Sequence, residues 1–131
     1  MIKQLYYLTG LISVMVMMHT AWSSFLLQRK TVKCVRSSFF IKIEMLFVMV
    51  SVLLIHCMEA SIFAIFYYVN DALPDMETSM YFSLASYATV GYGDVLLPEG
   101  FRLTGAAEGL VGTLMVSWTV ATLISYFGDK K

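Results

Sequence analysis

Apolar residues fall into three long runs, and none alternates with the period of two that a half-buried strand requires. The first runs from Leu5 to Leu27, broken only by small or weakly polar residues and by His19. The second, Ile43 to Val69, is rich in Met, Leu, Val, Ile and Phe; the third is Leu103 to Phe127. A helix needs roughly 20 residues to cross the apolar core of a bilayer, and each run clears that length. The pattern predicts an all-α membrane protein with three transmembrane helices.

Charge then sets an expected orientation. The segment Gln28 to Lys42 holds Arg29, Lys30, Lys33, Arg36 and Lys42 and no acidic residue. A short basic connection belongs in the cytoplasm. Lys130 and Lys131 belong on the same side, and an odd number of crossings puts the N-terminus outside. The connection between the second and third runs is then external, and it carries Asp71, Asp75, Glu77, Asp94 and Glu99 against Arg102. A signal peptide ending near Thr20-Ala21 is the competing reading of the first run. Its cleavage would leave the basic segment outside, against its charge. The region has no arginine ladder of the kind a voltage sensor uses.

Composition narrows the function. The chain has 131 residues, 59% of them apolar and 14% charged, with a net charge of zero and a mean hydropathy of +0.74. A soluble domain carries about a quarter charged residues, and a short chain cannot bury this much apolar surface within itself. The excess must face lipid or other subunits, which excludes an ordinary cytoplasmic enzyme. The balanced charge gives no support for nucleic-acid binding. Cys34 and Cys57 stand in different segments without metal-ligand spacing and read as free thiols. No nucleotide loop or catalytic triad is present, and no cofactor is implied.

The stretch Asn70 to Arg102 is too long for a plain connection. Asn70 to Pro74 reads as a turn, and Pro74 with Asp75 suits a helix start. Met76, Met80, Tyr81, Phe82, Leu84, Ala85 and Ala88 continue a helical pattern too short to span a membrane. Such a helix followed by glycines predicts a re-entrant element whose irregular return lies in protein or lines a cavity. The return is Thr89-Val90-Gly91-Tyr92-Gly93-Asp94. Its two glycines permit backbone angles closed to other residues, so successive carbonyls can face one side. Four chains about one axis would stack those carbonyls into rings able to replace the hydration shell of a monovalent cation. A single subunit cannot enclose such a pore, which predicts symmetric assembly.

Thr89 to Asp94 matches the selectivity-filter signature of potassium channels. The order of outer helix, short helix, filter and inner helix resembles the two-helix pore-domain family of small bacterial potassium channels, over residues 43–127. The resemblance implies a homotetrameric, potassium-selective channel in the inner (plasma) membrane. Thr89, Val90, Gly91, Tyr92 and Gly93 would hold the potassium ions, and Asp94, bonded to Tyr81, would support the filter. The chain departs from the family at Ala85, where some members carry glutamate, and at Ala88, where many carry threonine. It would comprise an additional N-terminal helix (1–27), a basic cytoplasmic linker (28–42), the pore domain (43–127) and a short tail (128–131). A weakly selective cation channel and a non-conducting subunit that needs a partner channel are the alternatives. The first helix would brace the outer helix or contact another protein.

Gly105, Gly109 and Gly112 form a small-residue stripe suited to close helix packing. Related channels place the bending glycine of the inner helix at the position of Gly112, so hinge and packing are both open there. Thr113, Val116, Val120, Ala121 and Ile124 are the expected cavity-facing positions, with an apolar ring near Ile124 or Phe127 as the gate. The hydroxyls at 113, 117, 119, 122 and 125 are expected to bond the preceding turn of their own helix.

His56, Glu59 and Glu108 lie where polar groups are costly, so each should have a protein partner. Glu59 should reach Ser83, Ser86 or Tyr87, and Glu108 should face the same short helix. Together they form a brace behind the filter or a pH-sensitive element, and an acid without a cationic partner there is expected to be protonated. His56 and His19 read as bonded core histidines rather than metal ligands. Tyr6, Tyr7, Tyr67 and Tyr68 are expected at the outer interface, and Trp22, Phe25, Phe39, Phe40, Tyr126 and Phe127 at the inner one. Trp118 is expected to pack between subunits.

Overall fold

The computed structural model describes residues 2–30 and 38–128. These form four α-helices and one short 3-10 turn: α1 (Ile2–Lys30), α2 (Ser38–Val69), α3 (Met76–Tyr87), the turn Glu99–Phe101, and α4 (Arg102–Phe127). Three segments, Leu5–Arg29, Phe39–Val69 and Glu99–Phe127, are long and apolar enough to cross a membrane. The chain is therefore a multi-pass, all-α membrane protein. α1 continues to Lys30 and α2 begins at Ser38, so both helices extend into the basic segment 28–42. Lys33, Cys34, Arg36, Lys130 and Lys131 lie outside the described residues.

α3 packs against both α2 and α4, and α1 lies chiefly along α4. The packing faces follow helical spacing. On α2, Ala60, Phe63, Ala64 and Tyr67 are fully buried, at intervals of three and four residues. Ser79, Ser83 and Tyr87 are buried on α3, and Thr104, Glu108, Val111, Gly112, Met115 and Thr119 on α4. The main apolar cluster sits around Phe63, Tyr67, Tyr87, Val111 and Met115, with Met15 of α1 closing it. A second cluster, Leu26, Val48 and Tyr126, lies at the other end of the long helices. The buried face of α1 is half polar: Met15, His19, Ser23 and Leu26.

α2 ends in a turn where Asp71 adopts φ 52°, the left-handed conformation that aspartate tolerates better than most residues. Ala72 N–H returns to the Tyr67 carbonyl at 2.9 Å. Asp75 then caps α3: its carboxylate accepts from Thr78 N at 2.7 Å and from the Thr78 hydroxyl at 3.0 Å. The backbone bond from Thr78 holds the Asp75 carboxyl below its usual range. With 12 residues, α3 is about 18 Å long at 1.5 Å per residue, well short of the roughly 30 Å apolar core of a bilayer.

Candidate functional site

The C-terminal end of α3 delivers the chain into Thr89–Asp94, which has no regular structure. The Ala85 carbonyl accepts from both Val90 N–H (2.8 Å) and Gly91 N–H (3.2 Å), and Thr89 N–H bonds to Ser86 O at 2.9 Å. The start of the segment is thereby tied to the helix end. Beyond it, φ is positive at alternate residues: 58° at Thr89, 56° at Gly91 and 77° at Gly93. Alternation of backbone hand turns successive carbonyls toward one side. An added Cβ would meet nothing within 4 Å at Gly91 or Gly93, so backbone conformation, not crowding, requires glycine there. Thr89 has no such freedom: a β-branched residue with positive φ is a true outlier, worth about 1–2 kcal/mol of strain. Strain of this kind collects at functional sites.

A phenol braces the far end of the segment. Tyr81 donates to Asp94 Oδ2 at 2.7 Å, and its ring stacks on that of Tyr92 with centroids 6.3 Å apart. Asp94 also accepts from Val95 N–H at 3.1 Å. The Tyr81 bond holds the Asp94 carboxyl below its usual range and raises the Tyr81 phenol above its own.

The glycine stripe of α4 faces α3. A Cβ at Gly112 would run into the Tyr87 carbonyl, and one at Gly109 would lie 3.2 Å from Ser86 O. At Gly105 it would lie 2.8 Å from the tip of Leu97 and 3.4 Å from Phe82. The stripe is thus the seam against the helix that carries Thr89–Asp94. Val116, Val120 and Ile124 fall on a different face of α4, and each is about half exposed or more in the single chain. Thr113 and Ala121 are exposed with them.

Behind α3 lies a polar cluster drawn from all four helices. Glu59, fully buried, accepts from the Tyr87 hydroxyl through Oε2; Oε1 lies 2.8 Å from His19 Nδ1. His56 Nδ1 sits 2.8 Å from the Tyr87 oxygen and 3.1 Å from Glu59 Oε2. Thr119 Oγ1 faces both Nε2 atoms, at 3.0 Å from His56 and 3.4 Å from His19. Closer to the start of α4, Glu108 accepts from Tyr67 at 2.9 Å and from Ser83 at 2.5 Å. Tyr87 stands two residues before Thr89, so the cluster holds the helix end from which the irregular segment starts.

Several sequence expectations meet this geometry directly. Glu59 reaches Tyr87, one of its three expected partners, and Glu108 faces α3 through Ser83. His19 and His56 are both bonded, and among the described residues no group of His, Cys, Asp and Glu is arranged to hold a metal. Other expectations need correction. Thr113 and Ser117 do bond their own helix, but Thr119 and Thr122 point across to His19, His56 and Ser23. Their positions fall on the buried stripe of α4, where a donor to the neighbouring helix is within reach. Tyr67 is no interface residue; it is fully buried because its hydroxyl is the donor to Glu108. Trp22 bonds Ser51, and Tyr126 bonds Glu44, so both are tied into the bundle. One face of Trp118 packs on the His19 ring at 5.3 Å. Cys57 is free and exposed.

These features define a helical membrane protein in which a short non-spanning helix presents a strained backbone segment between two spans. A family model described as "Ion channel" matches residues 55–129. That is more than half of the chain, which therefore belongs to this ion-channel family and is a transport protein rather than an enzyme. The matched region takes in His56, Glu59, α3, the Thr89–Asp94 segment and α4; α1 with His19 precedes it. No curated protein and no solved structure matches the chain.

Proposed function

We propose that the protein is a potassium-selective channel that conducts passively as a homotetramer. Backbone carbonyls of Thr89, Val90, Gly91 and Tyr92, with Gly93, form the ion-coordinating filter, and four copies supply the rings that replace water around the ion. The observation that carries this reading is the alternation of positive φ at 89, 91 and 93 in a TVGYGD segment anchored to the end of a short helix. Membership of an ion-channel family supports it, as does the brace between Tyr81 and Asp94. The C-terminal end of α3 adds a partial negative charge that favours a cation at the inner end of the filter.

In the assembled channel, the half-exposed face of α4 with Val116, Val120 and Ile124 lines the inner pore. Gly112 is the last clamp of α4 on α3, and the helix beyond it is the part that opens and closes. The basic segment faces the cytoplasm and the acidic connection faces outward, with the N-terminus outside, in the plasma membrane.

Purified protein in liposomes tests the reading. Potassium flux blocked by barium, well above sodium flux and abolished by Gly91→Asp, is the expected result. Equal sodium and potassium flux contradicts it.

A further inference from the structure

We propose that His19 and His56 together form one proton site, in which a single proton is shared across the Thr119 hydroxyl as the counter-charge of Glu59. The site makes His19 of α1 a positioning residue for the end of α3. Its existence rests on the bond geometry alone; its effect on conduction rests on the channel reading above.

Counting donors gives the proton. An ionised Glu59 only accepts, so the Nδ1 of His19, 2.8 Å away, carries hydrogen. Tyr87 spends its one hydroxyl proton on Glu59, so its oxygen accepts from His56 Nδ1 at 2.8 Å. Both Nδ1 atoms are therefore donors. Both Nε2 atoms face one oxygen, Thr119 Oγ1. That hydroxyl has one hydrogen to give, so it satisfies one Nε2 lone pair. The other contact closes only if the second ring is also protonated at Nε2 and donates to the threonine oxygen. One imidazolium and one imidazole, joined through Thr119, leave every atom paired. The same state balances Glu59 and leaves the cluster neutral where a net charge is expensive.

The surrounding groups support the count. From α1 the cluster is faced by His19 alone among titratable residues. From α2 it is faced by His56 and Glu59, with Tyr67 engaged by Glu108; from α3 by Tyr87; and from α4 by Glu108, which is taken up by Tyr67 and Ser83. No lysine or arginine is bonded to Glu59, so only an imidazole can balance it. The ring centroids of His19 and His56 are 5.8 Å apart, close enough that a second proton would be strongly opposed. Protons then leave in two separated steps that belong to the pair, not to either ring. With no proton, Glu59 is left unbalanced; with two, the rings repel. Either state loosens Tyr87 and the backbone that follows it.

The chain contains two histidines, both in this cluster, so selective labelling reads the site without interference. The full-length protein, labelled with ¹⁵N-histidine and purified in nanodiscs without a polyhistidine tag, is titrated by NMR. The expected result near neutral pH is one proton's worth of imidazolium signal over two rings, followed by joint titration in two steps. Thr119→Val should make the rings titrate independently, and Thr119→Ser should restore the coupling. Potassium flux should follow a bell-shaped pH profile, with His19→Gln moving the acid limb to lower pH because only Glu59 then remains to take the proton. Two rings that are both neutral near pH 7, or that titrate independently in the unaltered protein, overturn the proposal. A shared proton in a protein that passes no potassium at any pH supports the site and refutes the channel reading.

Discussion

Two buried carboxylates hold the same short helix in different company. Glu59, near the end of α3, meets two imidazoles and a phenol. Glu108, one turn earlier along α3 at Ser83, meets two hydroxyls and no cation. Both are fully buried, so the difference is chemical, not positional. A carboxyl bonded only by hydroxyls can be replaced by an amide of the same shape. A carboxylate matched to a cation cannot, because the partner charge is then left unpaired in the protein. The Glu59 side is an electrostatic joint and the Glu108 side a hydrogen-bonded one.

The largest expected effect comes from swapping the two acids for their amides. Glu59→Gln should cost about 3 kcal/mol or more, the usual penalty for breaking a buried ion pair. Glu108→Gln should stay within about 1 kcal/mol, the scale of one neutral hydrogen bond. Thermal unfolding of the two variants in detergent at neutral pH reads both, and equal losses would erase the distinction. Next is Gly112→Ala, whose methyl meets the Tyr87 carbonyl. Overpacking against backbone should cost about 1–3 kcal/mol, and it should disturb the Glu59 side first because Tyr87 is the group displaced. Gly109→Ala, with 3.2 Å to Ser86 O, should cost clearly less in the same assay.

A third carboxylate sharpens the comparison from the exposed side of α3. Asp94 is held below its usual range by the Tyr81 bond. The contribution of that bond is complete above the ordinary carboxylate value and fades as pH falls through the lowered one. Tyr81→Phe should return Asp94 toward ordinary behaviour, so its carboxyl carbon shift should begin to change at higher pH than in the unaltered protein. The smallest effect belongs to Asp75→Ala. It removes the cap at the other end of α3, in water and far from both buried acids, so melting should fall slightly with no change in ion flux.

Much of this arrangement is legible in the residues. The three runs set the spanning helices because length and apolarity suffice for that inference. Pro74, Asp75 and the glycines of 91 and 93 mark the short helix and its irregular return because their backbone preferences are local. Glu59 and Glu108 announce themselves by cost. What escapes is the partner across the bundle. His19 and Ser23 stand four apart on α1, and Thr119 and Thr122 three apart on α4, which marks two polar stripes. Nothing local says that these stripes meet, since threonine in a membrane helix bonds its own preceding turn equally well, as Thr113 does. Gly112 shows the same limit: bending and close packing need the same residue, and only its position against Tyr87 identifies the packing.

The central claim is that the strained segment after α3 selects potassium. The measurement that tests it most directly is the reversal potential of the purified protein in a planar bilayer, with potassium on one side and sodium on the other. A potential far toward that of a potassium electrode, lost with the current in Gly91→Asp, is the result expected. A reversal potential near zero, with currents that persist in that variant, would contradict the account.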